Sequence, residues 1–170
     1  MEFREVVRER YACKQYDGRP VPEDTLFEIL EAGRLAPTAK NLQEQRIYVL
    51  QSEEALRRFD TLTPCRYGAG TVLLVCFDQN NVYHYPGGQR DSGIEDASIV
   101  ATHLMLAAKN AGVESCWINR LDPEEAGKVF ELPENEVVLM ALDLGYPAEG
   151  AGPLLNHGSR KALEETVRFI

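Results

Sequence analysis

The chain has 170 residues, 44% of them apolar and 26% charged, with a formal net charge of −9. That length suits a single domain spanning 1–170 with a real core, and the composition is that of an ordinary globular protein. The acidic balance speaks against a nucleic-acid partner, which needs a basic surface, and no apolar run nears the roughly 18 residues of a membrane span.

The first ten residues, MEFREVVRER, lack the apolar centre of a signal peptide, and residues 2–10 suit a short helix. The clearest amphipathic stretch is VPEDTLFEILEAGRLAP. Pro22 fits its first helical position, Glu23 and Asp24 the positive end of its dipole, and Pro37 its stop. RIYVL (46–50) reads as a strand and SEEALRRF (52–59) as a helix capped by Ser52. TVLLVCF (71–77) is apolar throughout, as a central strand would be. Residues 78–95 read as a long polar loop.

IEDASIVATHLMLAAKNAG predicts a buried central helix, with Ile99, His103, Leu106 and Asn110 near one stripe, Val100, Leu104 and Ala107 widening it, and stop signals at Asn110 and Gly112. SCWI (115–118) is a short strand. Asp122 and Pro123 open a capped helix, and EVVLMALDLGYP is a long buried strand ended by Gly145 and Pro147. SRKALEETVRF predicts a final helix with Ser159 as its cap. The expected fold is α+β, a sheet of four or five strands flanked by helices.

Common chemical motifs are absent. There is no GxGxxG after a strand, no Walker A loop, no GxSxG and no metal spacing among His84, His103 and His157. Cys13, Cys65, Cys76 and Cys116 are dispersed, with no CxxC, and read as reduced thiols in a cytoplasmic protein. YPGGQRDSGIED runs into a helix start, a natural anion site, but Asp91, Glu95 and Asp96 crowd that end. The basic residues are more telling. Arg8, Arg10 and Lys14 fall within seven residues near one end of an acidic chain, and Arg160 and Lys161 near the other. They either converge on a phosphate or form a solvated face pairing with Glu2, Glu5 and Glu9.

Five segments in order resemble the nitroreductase family of FMN-dependent oxidoreductases, over nearly the whole chain. RYACKQY (10–16) is similar to that family's phosphate-binding segment and APTAKNLQ (36–43) to its ring-side segment. DASIVATHLMLAAKNAGVESCWI resembles the central helix and following strand, LPENEVVLMALDLGYP the last core strand, and SRKALEETV the basic C-terminal segment. The length resembles that of the short members without large lid insertions.

The resemblance implies a nitroreductase-like fold with a central, mostly antiparallel sheet, and an intimate homodimer with FMN at its interface. Carried over by position, Arg10, Tyr11, Ala12 and Lys14 would hold the phosphate, joined by Arg160 and Lys161. Pro37, Thr38, Ala39, Asn41 and Gln43 would face the flavin from the partner chain. Trp117, Ile118 and Asn119 would line the ring edge, largely through backbone groups. No catalytic side chain and no metal is implied.

Electrons would pass from NADH or NADPH to nitroaromatics, quinones or similar acceptors in a ping-pong cycle, with Lys40 a candidate at the ring's pyrimidine edge. Flavin modification, dehalogenation and non-catalytic flavin binding are the alternatives. Ala12 stands where serine is frequent, a loss of about 1 kcal/mol of hydrogen bonding. Lys14 replaces an arginine fork. Glu44 and Gln45 replace the usual Pro-Trp, so that pair's role is not transferred.

Overall fold

The computed structural model describes residues 1–170. Its helices are α1 (Phe3–Glu9), α2 (Glu23–Arg34), α3 (Glu53–Asp60), α4 (Gly93–Asn110), α5 (Pro123–Val129) and α6 (Leu163–Thr166). Its strands are β1 (Gln45–Leu50), β2 (Thr71–Asp78), β3 (Glu114–Ile118) and β4 (Glu136–Gly145). They form one antiparallel sheet in the order β1-β2-β4-β3. No helix is long and apolar enough to cross a membrane.

The continuous apolar run of β2 has its cause in burial on both faces. Leu73, Val75 and Phe77 pack with Met140, Leu142 and Leu144 beneath α2 and α4. Val72, Leu74 and Cys76 face the other way, against Phe59 of α3 and Ala126 of α5. A register shift between Val75 and Cys76 places an extra residue on β4, so Val138 and Ala141 reach the same layer although three positions apart. Each fully buried aliphatic side chain contributes roughly 1.5–3 kcal/mol. The α2–α4 contact is close because a Cβ on Gly33 would lie 2.6 Å from Leu104.

Local signals behave as their chemistry requires. The Ser52 hydroxyl accepts from Ala55 N–H, and Asp122 caps two N–H groups ahead of α5. Gly112, with φ +76°, follows the end of α4 in the left-handed region where glycine carries no Cβ penalty.

Four sequence expectations need correction. Pro22 is the N-cap of α2 rather than its first helical residue. The polar stretch 78–95 contains a short 3-10 turn (Gln79–Asn81) and yields to α4 at Gly93. The final helix is one turn, α6. Its N-cap is Ala162, not Ser159, and the Glu165 carboxylate accepts from Ala162 N–H. The buried stripe of α4 is Ala97, Val100, Ala101, Leu104 and Ala108, so Val100 and Leu104 of the expected face are in the core, whereas Ile99, His103, Leu106 and Ala107 lie half-exposed and Asn110 is exposed.

Candidate functional site

Residues 10–16 run along the outer edge of β3. Ala12 bridges Ser115 in parallel, and Cys13 N–H donates to Ser115 O at 3.0 Å. The alternation of an extended segment then sorts its side chains. Tyr11 and Cys13 point inward and are buried, while Ala12 and Lys14 are exposed and Arg10 half-buried. The C-terminal tail returns to this place, since the His157 ring meets Tyr11 edge-on at 6.3 Å. Arg160, three residues on, donates to the His157 and Ser159 carbonyls. The tail's curved backbone, Gly150–Leu154, lines a hollow with Lys14 and Gln15.

None of Arg8, Arg10, Lys14, Arg160 and Lys161 forms an ion pair. The reading in which the first group pairs with Glu2, Glu5 and Glu9 therefore fails.

Beyond Ser115 the same edge of β3 has no strand beside it, so the backbone at Trp117–Asn119 is open. Ile118 is buried in the core and pairs with Ala141 of β4, so the outward backbone groups are those of Trp117 and Asn119. Trp117 is fixed by donation from Nε1 to Asn119 Oδ1 at 2.8 Å. The basic segment, the tail and the open edge thus lie close together.

The stretch Pro37–Gln43 does not join them. It forms a 3-10 turn at Ala39–Asn41 in which Lys40, Asn41 and also Gln43 have φ between +52° and +56°, a conformation that side-chain-bearing residues rarely hold. Thr38 Oγ1 accepts from Gln43 N–H, and Gln43 Nε2 donates to Asn41 O. Pro37, Asn41 and Gln43 are exposed. Ala39 N–H donates to Asp96 in the first turn of α4, whereas the Tyr11 ring lies 5.9 Å from Lys109 Nζ in its last turn. Those positions are about 20 Å apart along the helix. Lys40 extends over the Tyr83 ring at 4.6 Å.

The start of α4 is closed to anions, because the Asp91 carboxylate already accepts from Gly93 N–H. His103 is satisfied by the Ile99 carbonyl. Burial pushes the Cys116 thiol up to about 12 and raises that of Cys13, so neither is a ready nucleophile.

Sequence reasoning passed over Asp143 and gave Glu44 no role beyond a departure from the Pro-Trp pattern; both are buried without exposed surface. A lone acid at a strand start and one inside an apolar strand were the only signals. It also passed over the Lys109–Glu114 ion pair at 2.6 Å, which joins the end of α4 to β3 under Tyr11.

A sequence profile of the nitroreductase family matches residues 7–67 and 60–146. A protein of Methanothermobacter thermautotrophicus named as an NADH dehydrogenase/NAD(P)H nitroreductase is 28% identical over 161 residues, which cover 89% of this chain and 81% of that one. The crystal structure of a nitroreductase family protein from Clostridium difficile 630 superposes with a TM-score of 0.92 at 32% identity, over 99% of this chain and 98% of that chain. A nitroreductase from Exiguobacterium sibiricum, solved in complex with FMN, has the same fold, with a TM-score of 0.86 at 20% identity over 100% and 98% of the two chains. The chain belongs to the nitroreductase family.

Proposed function

We propose that residues 1–170 act as one FMN-binding domain that takes electrons from NADH or NADPH and passes them to electron-poor small molecules such as nitroaromatics or quinones. The observation that carries this reading is the basic segment lying along the edge of β3 with the C-terminal tail folded back onto Tyr11. Support for the cofactors comes from the FMN held by the Exiguobacterium protein and the nicotinamide named for the Methanothermobacter relative.

Bound FMN would supply the hydride chemistry itself. Arg10 and Lys14, with Arg160 and Lys161 of the returning tail, would neutralise its phosphate. The free backbone groups of Trp117 and Asn119 would orient the ring, and the buried Ile118 beneath them would keep that edge rigid. Burial holds Cys13 and Cys116 as neutral thiols.

We further propose a homodimer in which Pro37, Thr38, Ala39, Asn41 and Gln43 meet the flavin of the other subunit. Support comes from the distance between this stretch and the basic segment. It comes too from apolar surface left open on one chain: Ile94 of α4, Phe3 and Val7 of α1, and Leu155, Phe169 and Ile170 of the tail. A central helix apolar on all sides needs cover on all sides.

The test is a visible spectrum with flavin stoichiometry, followed by anaerobic reduction with each nicotinamide. One FMN per chain, reduced by NADH or NADPH and reoxidised by a quinone, is expected. Protein that neither carries nor takes up FMN would overturn the reading.

A further inference from the structure

Glu44 lies between the strained loop and β1, and its side chain turns inward with 0% exposure. Asp96, one turn into α4, is 4% exposed. Each acid has one oxygen engaged. Ser92 Oγ donates to Glu44 Oε1 at 3.3 Å, and Ala39 N–H donates to Asp96 Oδ1 at 3.0 Å. The remaining oxygens, Glu44 Oε2 and Asp96 Oδ2, are buried with no donor from the rest of the chain. Ser92 holds both acids: its hydroxyl donates to Glu44 and its carbonyl accepts from Asp96 N–H at 2.7 Å. Two bare carboxylates so placed, both buried, would repel. One proton between them satisfies both leftover oxygens.

We propose that Glu44 and Asp96 share a single proton as a latch that fastens the 38–43 loop to the start of α4, holding it at and below neutral pH and loosening it above. Its bearing on FMN rests on the function proposed above; the latch itself does not.

The surroundings supply no substitute for the proton. Among neighbouring charged groups, the Lys40 ammonium lies over Tyr83 and the Arg90 guanidinium over Tyr85. Glu95 receives the Tyr85 hydroxyl, Asp91 holds Gly93 N–H, and Arg46 pairs with Asp78 and Glu136. His84 meets Asp91 through backbone. Burial first, then the bond to Asp96, push Glu44 from 4.5 up to about 7. A folded-state value raised in this way favours the closed loop fully below about 4.5, and that advantage fades as pH rises through 7.

The rest of the loop's fastening is weaker and more exposed. Thr38 holds Gln43 N–H, and Asn81 Nδ2 donates to Leu42 O. Three residues with positive φ need such over-determination to persist.

The test is amide hydrogen exchange at Ala39 and its neighbours between pH 6 and 8.5, corrected for the intrinsic rate and run without flavin. In the unaltered protein, opening should grow about tenfold over that range, because Glu44 loses its proton within it. Glu44→Gln supplies a neutral donor at every pH and should flatten the profile. Glu44→Ala should exchange fast throughout. A flat profile in the unaltered protein, or an unchanged slope in Glu44→Gln, would overturn the latch. A parallel FMN titration separates the two ideas: a working latch with no pH effect on FMN affinity would refute only the placement of the loop at the flavin.

Discussion

Asp143 and the Glu44–Asp96 pair are buried acids treated in opposite ways. Asp143 sits within β4, opposite Val72 and Cys116, and neither of its oxygens has a partner. Arg66 acts on it from nearby, but that guanidinium is committed to Asp60 and the Ala69 carbonyl. Burial pushes Asp143 up to about 9, so it is a neutral acid at pH 7. Glu44 and Asp96 instead each accept one hydrogen bond and are both anchored to Ser92. The difference follows the backbone around each. A central strand is fixed by its ladder and two packed faces, so it tolerates an unpaired acid. A loop with three residues at positive φ has no such support and uses its acids as fasteners.

The largest expected effect tests that tolerance. Asp143→Asn keeps the shape and removes the ionisation. In the unfolded chain Asp143 ionises near 3.8, while in the fold it stays protonated to about 9. Its folded-state value is raised, so its contribution is most favourable below about pH 4 and deteriorates as pH rises towards 9. Asp143→Asn should therefore stabilise the fold at pH 8.5 by several kcal/mol, and by only about 1 kcal/mol at pH 4.5. Urea melts at both values check this. Equal stability changes at the two pH values would mean that Asp143 is paired in solution, and the contrast with Glu44 would disappear.

A second comparison sets the two ends of α4 against each other. Near the last turn, Lys109 beside Tyr11 is held by Glu114 while Arg10 forms no ion pair; at the first turn, Lys40 rests on an aromatic ring. Arg10→Ala should weaken FMN binding roughly 10- to 100-fold, the worth of one charge-assisted hydrogen bond. Riboflavin, which lacks the phosphate, should bind the variant as it binds the unaltered chain. Fluorescence titration with both ligands reads this, and equal losses for the two would move Arg10 away from the phosphate.

Element by element, much of the fold is legible in the sequence. Periodicity and caps locate α2, α3, α5 and the strands because those signals are local: Ser52 and Asp122 cap N–H groups two or three residues away. The ordered segments resembling the nitroreductases lead to the right family. The shortfalls concern tertiary placement. Which side of α4 is buried depends on α2 and the sheet, and an all-round apolar helix does not encode it. Glu44 reads as a departure from a Pro-Trp pattern, and nothing in its neighbours points to Asp96, 52 positions away. Asp96 itself reads as a dipole-complementing surface acid, because its inward turn is set by the N–H of Ala39.

The smallest expected effect concerns Lys40, where two roles are separable. As a contact at the ring's pyrimidine edge, its ammonium would have to leave Tyr83. As seated, it contributes an exposed cation–π interaction of about 0.5–1 kcal/mol and no flavin contact within its own chain. Lys40→Ala should then lower stability by less than about 1 kcal/mol, with no relief of backbone strain, because alanine is no better suited to a φ of +52°. FMN and riboflavin affinities should both change by less than about threefold, well short of the loss in Arg10→Ala. A loss shared equally by FMN and riboflavin, and as large as that of Arg10→Ala, would instead place Lys40 against the ring. That result would make the first-turn end of α4 a chemical participant, because the affected part of the ligand would be the part both flavins share.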